Sequence, residues 1–213
     1  MQPEPDSTAQ FAMRYPIFSV VVFAALSIAI VLVSWQVTKR RIDANENAAR
    51  LAEFTAVLGQ IPFDSINFNT PQMIEPPHRL PGDTAVPLLT AQSNGKTVAW
   101  VLLITARGYN GPVSLMLGVD TRATITGVRV LAHTETTGLG DNIELQHSDW
   151  ILGFAGQRYI GDIDPRWALI ADGGEFDAFT GATITPRGVV DAIAQTLRWV
   201  NLNQAILLDG RIP

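Results

Sequence analysis

The 213-residue sequence predicts an α+β fold carried on a single membrane-spanning helix. Three observations predict it. An apolar run, "YPIFSVVVFAALSIAIVLVSWQV", precedes everything else, with no charge between Arg14 and Lys39. Three β-patterned stretches then follow one another between residues 97 and 133, separated by short turns rich in glycine, asparagine and aspartate. The chain closes on an amphipathic helix whose apolar positions Val190, Ile193, Leu197 and Val200 recur at steps of three and four. Strands in succession with helices around them argue for an antiparallel sheet with flanking helices.

Composition narrows the chemistry. Apolar residues make up 47% of the chain, enough for a sizeable core, and the net charge is −5. An acidic chain is a poor partner for nucleic acid, whose phosphates demand a basic face. There are no cysteines, which excludes disulfides, thiolate zinc sites, iron–sulfur clusters and cysteine nucleophiles.

Residues 1–14 read as a tail and residues 15–38 as the transmembrane helix. About 20 apolar residues cross a bilayer core. A secretory signal has an apolar stretch of roughly 7–15 residues ending at a small-residue cleavage site, whereas this span runs into Trp35, Gln36, Lys39, Arg40 and Arg41. It reads as an uncleaved single-pass anchor. By the distribution of basic residues alone, the large domain would stay in the cytoplasm.

Residues 39–60 predict a membrane-proximal helix, with Ala48, Leu51, Phe54 and Leu58 on one face. Residues 61–96 are dense in proline and read as an ordered loop or short edge strands packed on the domain. The main domain, 97–213, opens with the strand "TVAWVLLITAR", the turn "GYNGP" and the strand "VSLMLGVD", in which Val113, Leu115, Leu117 and Val119 share a face. "TITGVRVLAH" returns as the third strand of a meander. The loop "HTETTGLGDNIE" follows, then a short helix, "WILGFAGQ", capped by Ser148, and a short strand in "RWALIADGG".

The stretch "DAFTGATITPRGVVDAI" carries the candidate site. Thr185 offers a capping hydroxyl and Pro186 suits the start of a helix, because it has no N–H to leave unpaired. Thr183 then lies about two residues ahead of a helix N-terminus, with small Gly181 and Ala182 beside it. Unpaired N–H groups and a partial positive charge make such a terminus a natural seat for a phosphate, although a plain capped helix fits the same residues.

"TGATIT" resembles the Ser/Thr-Gly-Ala-Thr motif of the FMN-binding domain family, falling on Thr180, Gly181, Ala182 and Thr183, with Asp177 before it and Thr at 180 where Ser is more usual. "HTETTGLGD" resembles the family's Glu-Thr-Pro-Gly-Leu-Gly signature, with Thr137 in the proline position. "GYNGPVSLMLGVD" resembles the turn and strand that open the domain. The three occur in family order over 108–193 and, with the N-terminal span, are similar to the G subunits of Rnf-type (Rsx) ion-translocating electron-transport complexes. The C subunits of sodium-pumping NADH:quinone reductases are close relatives of these.

The resemblance implies FMN covalently attached through its phosphate to Thr183 by a flavin transferase. Thr180, Gly181, Ala182, Ile184 and Thr185 would surround the attachment, and Glu135, Thr137, Gly138, Leu139 and Gly140 would form a second loop against the cofactor. It implies an electron-carrier subunit among other membrane subunits, anchored in the bacterial inner membrane with its flavin domain in the periplasm. The basic residues after the span oppose that orientation. No direct NAD binding is expected, since no Gly-x-Gly-x-x-Gly follows a strand. A metal pair of His133 and Glu135 finds no supporting spacing from His78 or His147. Trp150, Trp167 and Trp199 sit in apolar runs and read as core, while Tyr109 lies in the turn that resembles the family's. The remaining alternative is an anchored structural or assembly protein with no cofactor, in which Thr180 and Thr183 are only turn and cap.

Overall fold

The computed structural model describes residues 20, 22–32, 34–36, 38–39, 51–66, 70–76 and 78–212. The chain divides into two units, Met1–Leu51 and Ala52–Pro213. In the first unit, the described positions between 20 and 39 are helical and exposed. Among the described residues, no helix is long and apolar enough to cross a membrane. Residues 15–19 and three interior positions of the expected span lie outside the described residues, as does Ala48.

The second unit is built on one antiparallel sheet of six strands: β1 (Ser65–Ile66), β2 (Gln72–Ile74), β3 (Val86–Ser93), β4 (Lys96–Arg107), β5 (Pro112–Asp120) and β6 (Ile125–Ala132). The order is β1-β3-β4-β5-β6, with β2 also pairing with β3. The meander over 97–133 is therefore present, but the sheet begins well before residue 97. β3 is an eight-residue strand lying inside the sheet, not a loop on its surface. Its Pro87 stands opposite Met73 of the three-residue β2, where few ladder bonds are lost to the missing N–H. The β3–β4 turn is Asn94-Gly95, both with positive φ, as the tight hairpin turn requires.

Strand alternation sends side chains to two cores. Trp100, Leu102, Ile104 and Ala106 of β4 and Val113, Leu115, Leu117 and Val119 of β5 join the larger one. Against them lies the C-terminal helix, Ile184–Leu208, through Val189, Val190, Ile193, Leu197 and Val200, all fully buried. Trp167 and Trp199 are in this core, and half-buried Trp150 packs against it. Burying each such aliphatic side chain contributes about 1.5–3 kcal/mol, an upper estimate against a partly collapsed unfolded chain.

On the opposite face, Leu89, Ala91, Ala99, Val101 and Met116 receive Phe54, Val57 and Leu58 from the helical segment 51–58. Val57 completes this face where Leu51 was expected; Leu51 is exposed. Gly118 and Gly127 are cross-strand partners, and a Cβ on Gly127 would lie 2.7 Å from the Val57 carbonyl oxygen. Thr126 Oγ1 donates to that same oxygen at 2.7 Å. The two glycines form the notch in which this helix end is seated.

The stretch 166–174 is not a strand. Leu169 makes a single bridge to Phe176, and a 3-10 turn at Ile170–Asp172 leads into Gly173 at φ +92. The turn reverses the chain before a ladder can extend. The short helix after Ser148 is a 3-10 helix, Asp149–Phe154, and Ser148 accepts from the Trp150 amide at 3.0 Å, as the sequence anticipates.

Candidate functional site

Three segments meet at the N-terminus of the C-terminal helix: the β4–β5 turn at 108–111, the loop 133–140, and the turn Phe179–Ala182. The last closes through the Ala182 amide to the Phe179 carbonyl at 3.0 Å. Gly181 sits at φ +79, a conformation that favours glycine at the third position of such a turn. Trp150 braces it. Its Nε1 donates to the Asp177 carbonyl at 2.9 Å, and its ring meets Phe179 edge-on at 5.1 Å and Phe154 at 5.0 Å.

The helix begins two residues earlier than the sequence suggests, at Ile184 instead of Pro186. Thr183 is its N-cap, and the Thr183 carbonyl accepts the first helical bond, from the Arg187 amide, at 3.2 Å. Thr183 is exposed, and its hydroxyl makes no capping bond. The amides of Ile184 and Thr185 have no intrahelical acceptor, and Pro186 has no N–H. Thr185 is therefore not the cap expected of it. It is buried, its Oγ1 donates to Glu135 Oε2 at 2.6 Å, and it accepts from the Tyr109 amide at 3.2 Å. The hydroxyl faces inward because the residue lies inside the first helical turn, on the side facing the sheet.

Glu135 ties its loop to the β4–β5 turn and to the helix start. It is 9% exposed, and its second oxygen accepts from the Asn110 amide at 3.0 Å. Gly108 and Gly140 leave room for it: a Cβ on Gly140 would lie 2.5 Å from Oε2, and one on Gly108 would fall on Oε1. The loop is held further along by buried Asp141, whose Oδ1 accepts from the Gly138 amide at 2.8 Å. Gly138 adopts φ +78.

These segments enclose a cleft of about 310 Å³. Of the sequence candidates, Glu135, Leu139, Gly140, Gly181, Ala182, Thr183, Ile184 and Thr185 line it. Thr137, Gly138 and Thr180 are exposed neighbours outside its lining. Thr136 and the 70% exposed Tyr109 line it as well. The β4–β5 turn motif singled out Tyr109. Asn110 and Asp141 were not singled out, because their roles depend on distant partners. His133 and Glu135 do not converge on a common point: His133 faces Glu144, and the Glu135 carboxylate faces Thr185.

A larger, more open groove of about 910 Å³ lies on the other side of Tyr109 and Ile184 and is lined by Arg107, Arg187, Asp191 and Gln195. Burial is the main influence on the Asp191 carboxyl and raises its proton affinity; Arg187 opposes this, and Asp172 adds to it. Arg187 is committed to Asp172 through two bonds of 2.7 and 3.1 Å, which hold the Asp172 carboxyl below its ordinary range. The smaller cleft is the better candidate, because Thr183, the N-cap of the helix with no capping bond from its hydroxyl, lines it and not the larger groove.

Residues 108–198, which span all three segments, match the family model described as FMN-binding domain. The chain is 38% identical over 188 residues to the G subunit of the ion-translocating oxidoreductase complex from Shewanella loihica, covering 88% of this chain and 89% of that one. It is 39% identical over 188 residues to the protein of the same description from Vibrio atlanticus, covering 88% and 90%. Among solved structures, it is similar to the crystal structure of NqrC from Shewanella oneidensis, with a TM-score of 0.45 and 22% identity, over 68% of this chain and 71% of that one.

Proposed function

Since the chain belongs to the family of G subunits of ion-translocating oxidoreductase complexes and carries an FMN-binding domain, we propose that it is a membrane-anchored flavoprotein. It relays electrons within a redox-driven ion pump through FMN joined by its phosphate to Thr183. The observation that carries this reading is the Thr183 hydroxyl: exposed, free of any capping bond, and set at the N-terminus of a 25-residue helix beside the cleft. Under the cofactor-free reading that hydroxyl is a cap, and it caps nothing.

The residues fit the group. A cleft of about 310 Å³ is at the lower end of the ~300–1,000 Å³ usual for small-molecule sites. The free amides and dipole of the helix start favour a phosphate. Gly181 keeps side chains away from the attachment point, and Leu139, Ile184 and Tyr109 offer apolar surface to a flat ring. FMN supplies the electron chemistry when bound; the chain supplies a tether that prevents its loss, a fixed position and a partly dry surrounding. Other members of the complex supply and accept the electrons, and a flavin transferase installs the cofactor. NAD has no part in this site, and the family membership favours a G-type subunit over the C subunit of a sodium-pumping NADH:quinone reductase.

The covalent link is tested on the full chain purified from cells that contain a flavin transferase. It should fluoresce as a flavin in a denaturing gel, and peptide mass analysis should find one FMN less one water on the peptide that contains Thr183. A dark band would leave the cofactor-free reading standing.

The proposal also places the anchor at residues 15–38 in the inner membrane, with the flavin domain in the periplasm. Long trailing domains cross largely regardless of flanking charge. A reporter active only in the periplasm should be active when fused after Pro213. Activity from a cytoplasmic reporter alone would reverse the orientation in favour of Lys39, Arg40 and Arg41.

A further inference from the structure

Behind the loop 133–140 lies a cluster of four titratable side chains that the electron-carrier reading does not use: His133, Asp141, Glu144 and His147. His133 is central. Its Nδ1 accepts from the backbone amide of Glu135 at 3.0 Å, and its Nε2 lies 2.8 Å from Glu144 Oε1. A ring nitrogen that accepts an N–H carries no proton itself, so the neutral imidazole has its hydrogen on Nε2 and donates it to Glu144. His147 faces the same acids from the other side, with Nδ1 2.9 Å from Asp141 Oδ2 and Nε2 3.9 Å from Glu144 Oε2.

The two histidines respond to a second proton in opposite ways. Protonated His147 has an N–H for each of its two carboxylates, and its contacts strengthen. Protonated His133 gains its hydrogen on Nδ1, where the Glu135 N–H already points. Two donors then face each other, and that bond is lost. The residue released is the one whose side chain joins Thr185 and the Asn110 amide, and so connects the loop to the helix start beside Thr183.

We propose that His133 is a positioning residue for the cofactor. Its neutral Nε2–H form holds the Glu135 backbone, and through it the cleft loop, in place; protonation of His133 lets that loop go. The groups facing the histidine pair are Glu144 on both rings and Asp141 on His147. The Glu135 carboxylate is turned away from them towards Thr185. The link to a cofactor rests on the FMN reading above; the protonation-dependent contact between His133 and the Glu135 amide does not.

The test follows ¹⁵N resonances of the full-length chain in detergent between pH 8 and pH 5, before any flavin is attached. The His133 imidazole should show the Nε2–H tautomer at pH 8. The Glu135 amide should then shift as His133 protonates, with the same midpoint as the ring. His133→Asn is the conservative variant. An Asn side chain accepts from the amide two residues on, as in an Asx-turn, and does not titrate. It should hold the Glu135 amide at its pH 8 position throughout. His147→Gln should leave the Glu135 response intact. A Nδ1–H tautomer at pH 8, or a Glu135 amide indifferent to His133 protonation, overturns the contact. In the flavinylated chain, the plot of flavin midpoint potential against pH should bend at the His133 midpoint, and His133→Asn should remove the bend. A bend that persists in His133→Asn, or is missing from the wild type, overturns the link to the cofactor. A chain that takes up no flavin counts against the FMN reading and leaves the amide result to stand by itself.

Discussion

Thr183→Val should abolish covalent flavin while leaving the fold intact. Valine keeps the branched shape and removes only the hydroxyl that would carry the phosphate. That hydroxyl is exposed and makes no capping bond, so the expected change in stability is within about 0.5 kcal/mol. In a denaturing gel, the fluorescent band of the wild type should vanish at equal protein load. Neighbouring threonines separate attachment from architecture. Thr180→Val, at the exposed tip of the turn, should keep its band. Thr185→Val should keep the attachment hydroxyl but lose about 1–3 kcal/mol, because the Glu135 carboxylate and the Tyr109 amide both lose a buried partner. A bright band from Thr183→Val would move the attachment elsewhere, with Thr180 the next residue to test.

Gly188→Ala should be the most damaging single methyl in the domain. The residue lies in the second turn of the C-terminal helix, where an added Cβ would fall on the carbonyl oxygen of Arg107. That carbonyl cannot easily yield, because Arg107 ends β4 and its peptide is shared with the Gly108 amide, which donates to the Gly111 carbonyl at 2.9 Å. Alanine in place of glycine gains a helix up to about 1 kcal/mol. Overpacking against backbone costs about 1–3 kcal/mol and occasionally more, so the clash wins. The helix start is pushed away from the β4–β5 turn, which also strains the Tyr109–Thr185–Glu135 bonds. A lower Tm and reduced flavin incorporation should appear together. Gly153→Ala is the control: nothing lies within 4 Å of its Cβ position and its φ is ordinary, so its Tm should match the wild type. A Gly188→Ala variant as stable as wild type would mean that the helix does not press on the Arg107 carbonyl.

The local patterns were legible wherever one face of an element is buried. Val113, Leu115, Leu117 and Val119 alternate because β5 has a core side, and Val190, Ile193, Leu197 and Val200 recur because the helix lies on that core. β3 was obscured by Pro87 and by the prolines around it, although Asn94-Gly95 marked the hairpin that follows. The expected strand at 166–174 failed for the converse reason: an apolar run was present, but Gly173 and Gly174 turn the chain back onto Ala168 and Leu169.

The sequence by itself determined the meander, the amphipathic helix and the short motif that places a threonine at a helix start, because these depend on spacing and on the conformational limits of glycine and proline. Only the tertiary structure decided which threonine is free. Thr183 and Thr185 are chemically alike and two residues apart, yet one hydroxyl faces solvent and the other is taken by a carboxylate fifty residues away. That division follows from packing: the helix turns through about 100° per residue, so neighbouring side chains cannot share a face, and the sheet beneath Gly188 fixes which face is buried.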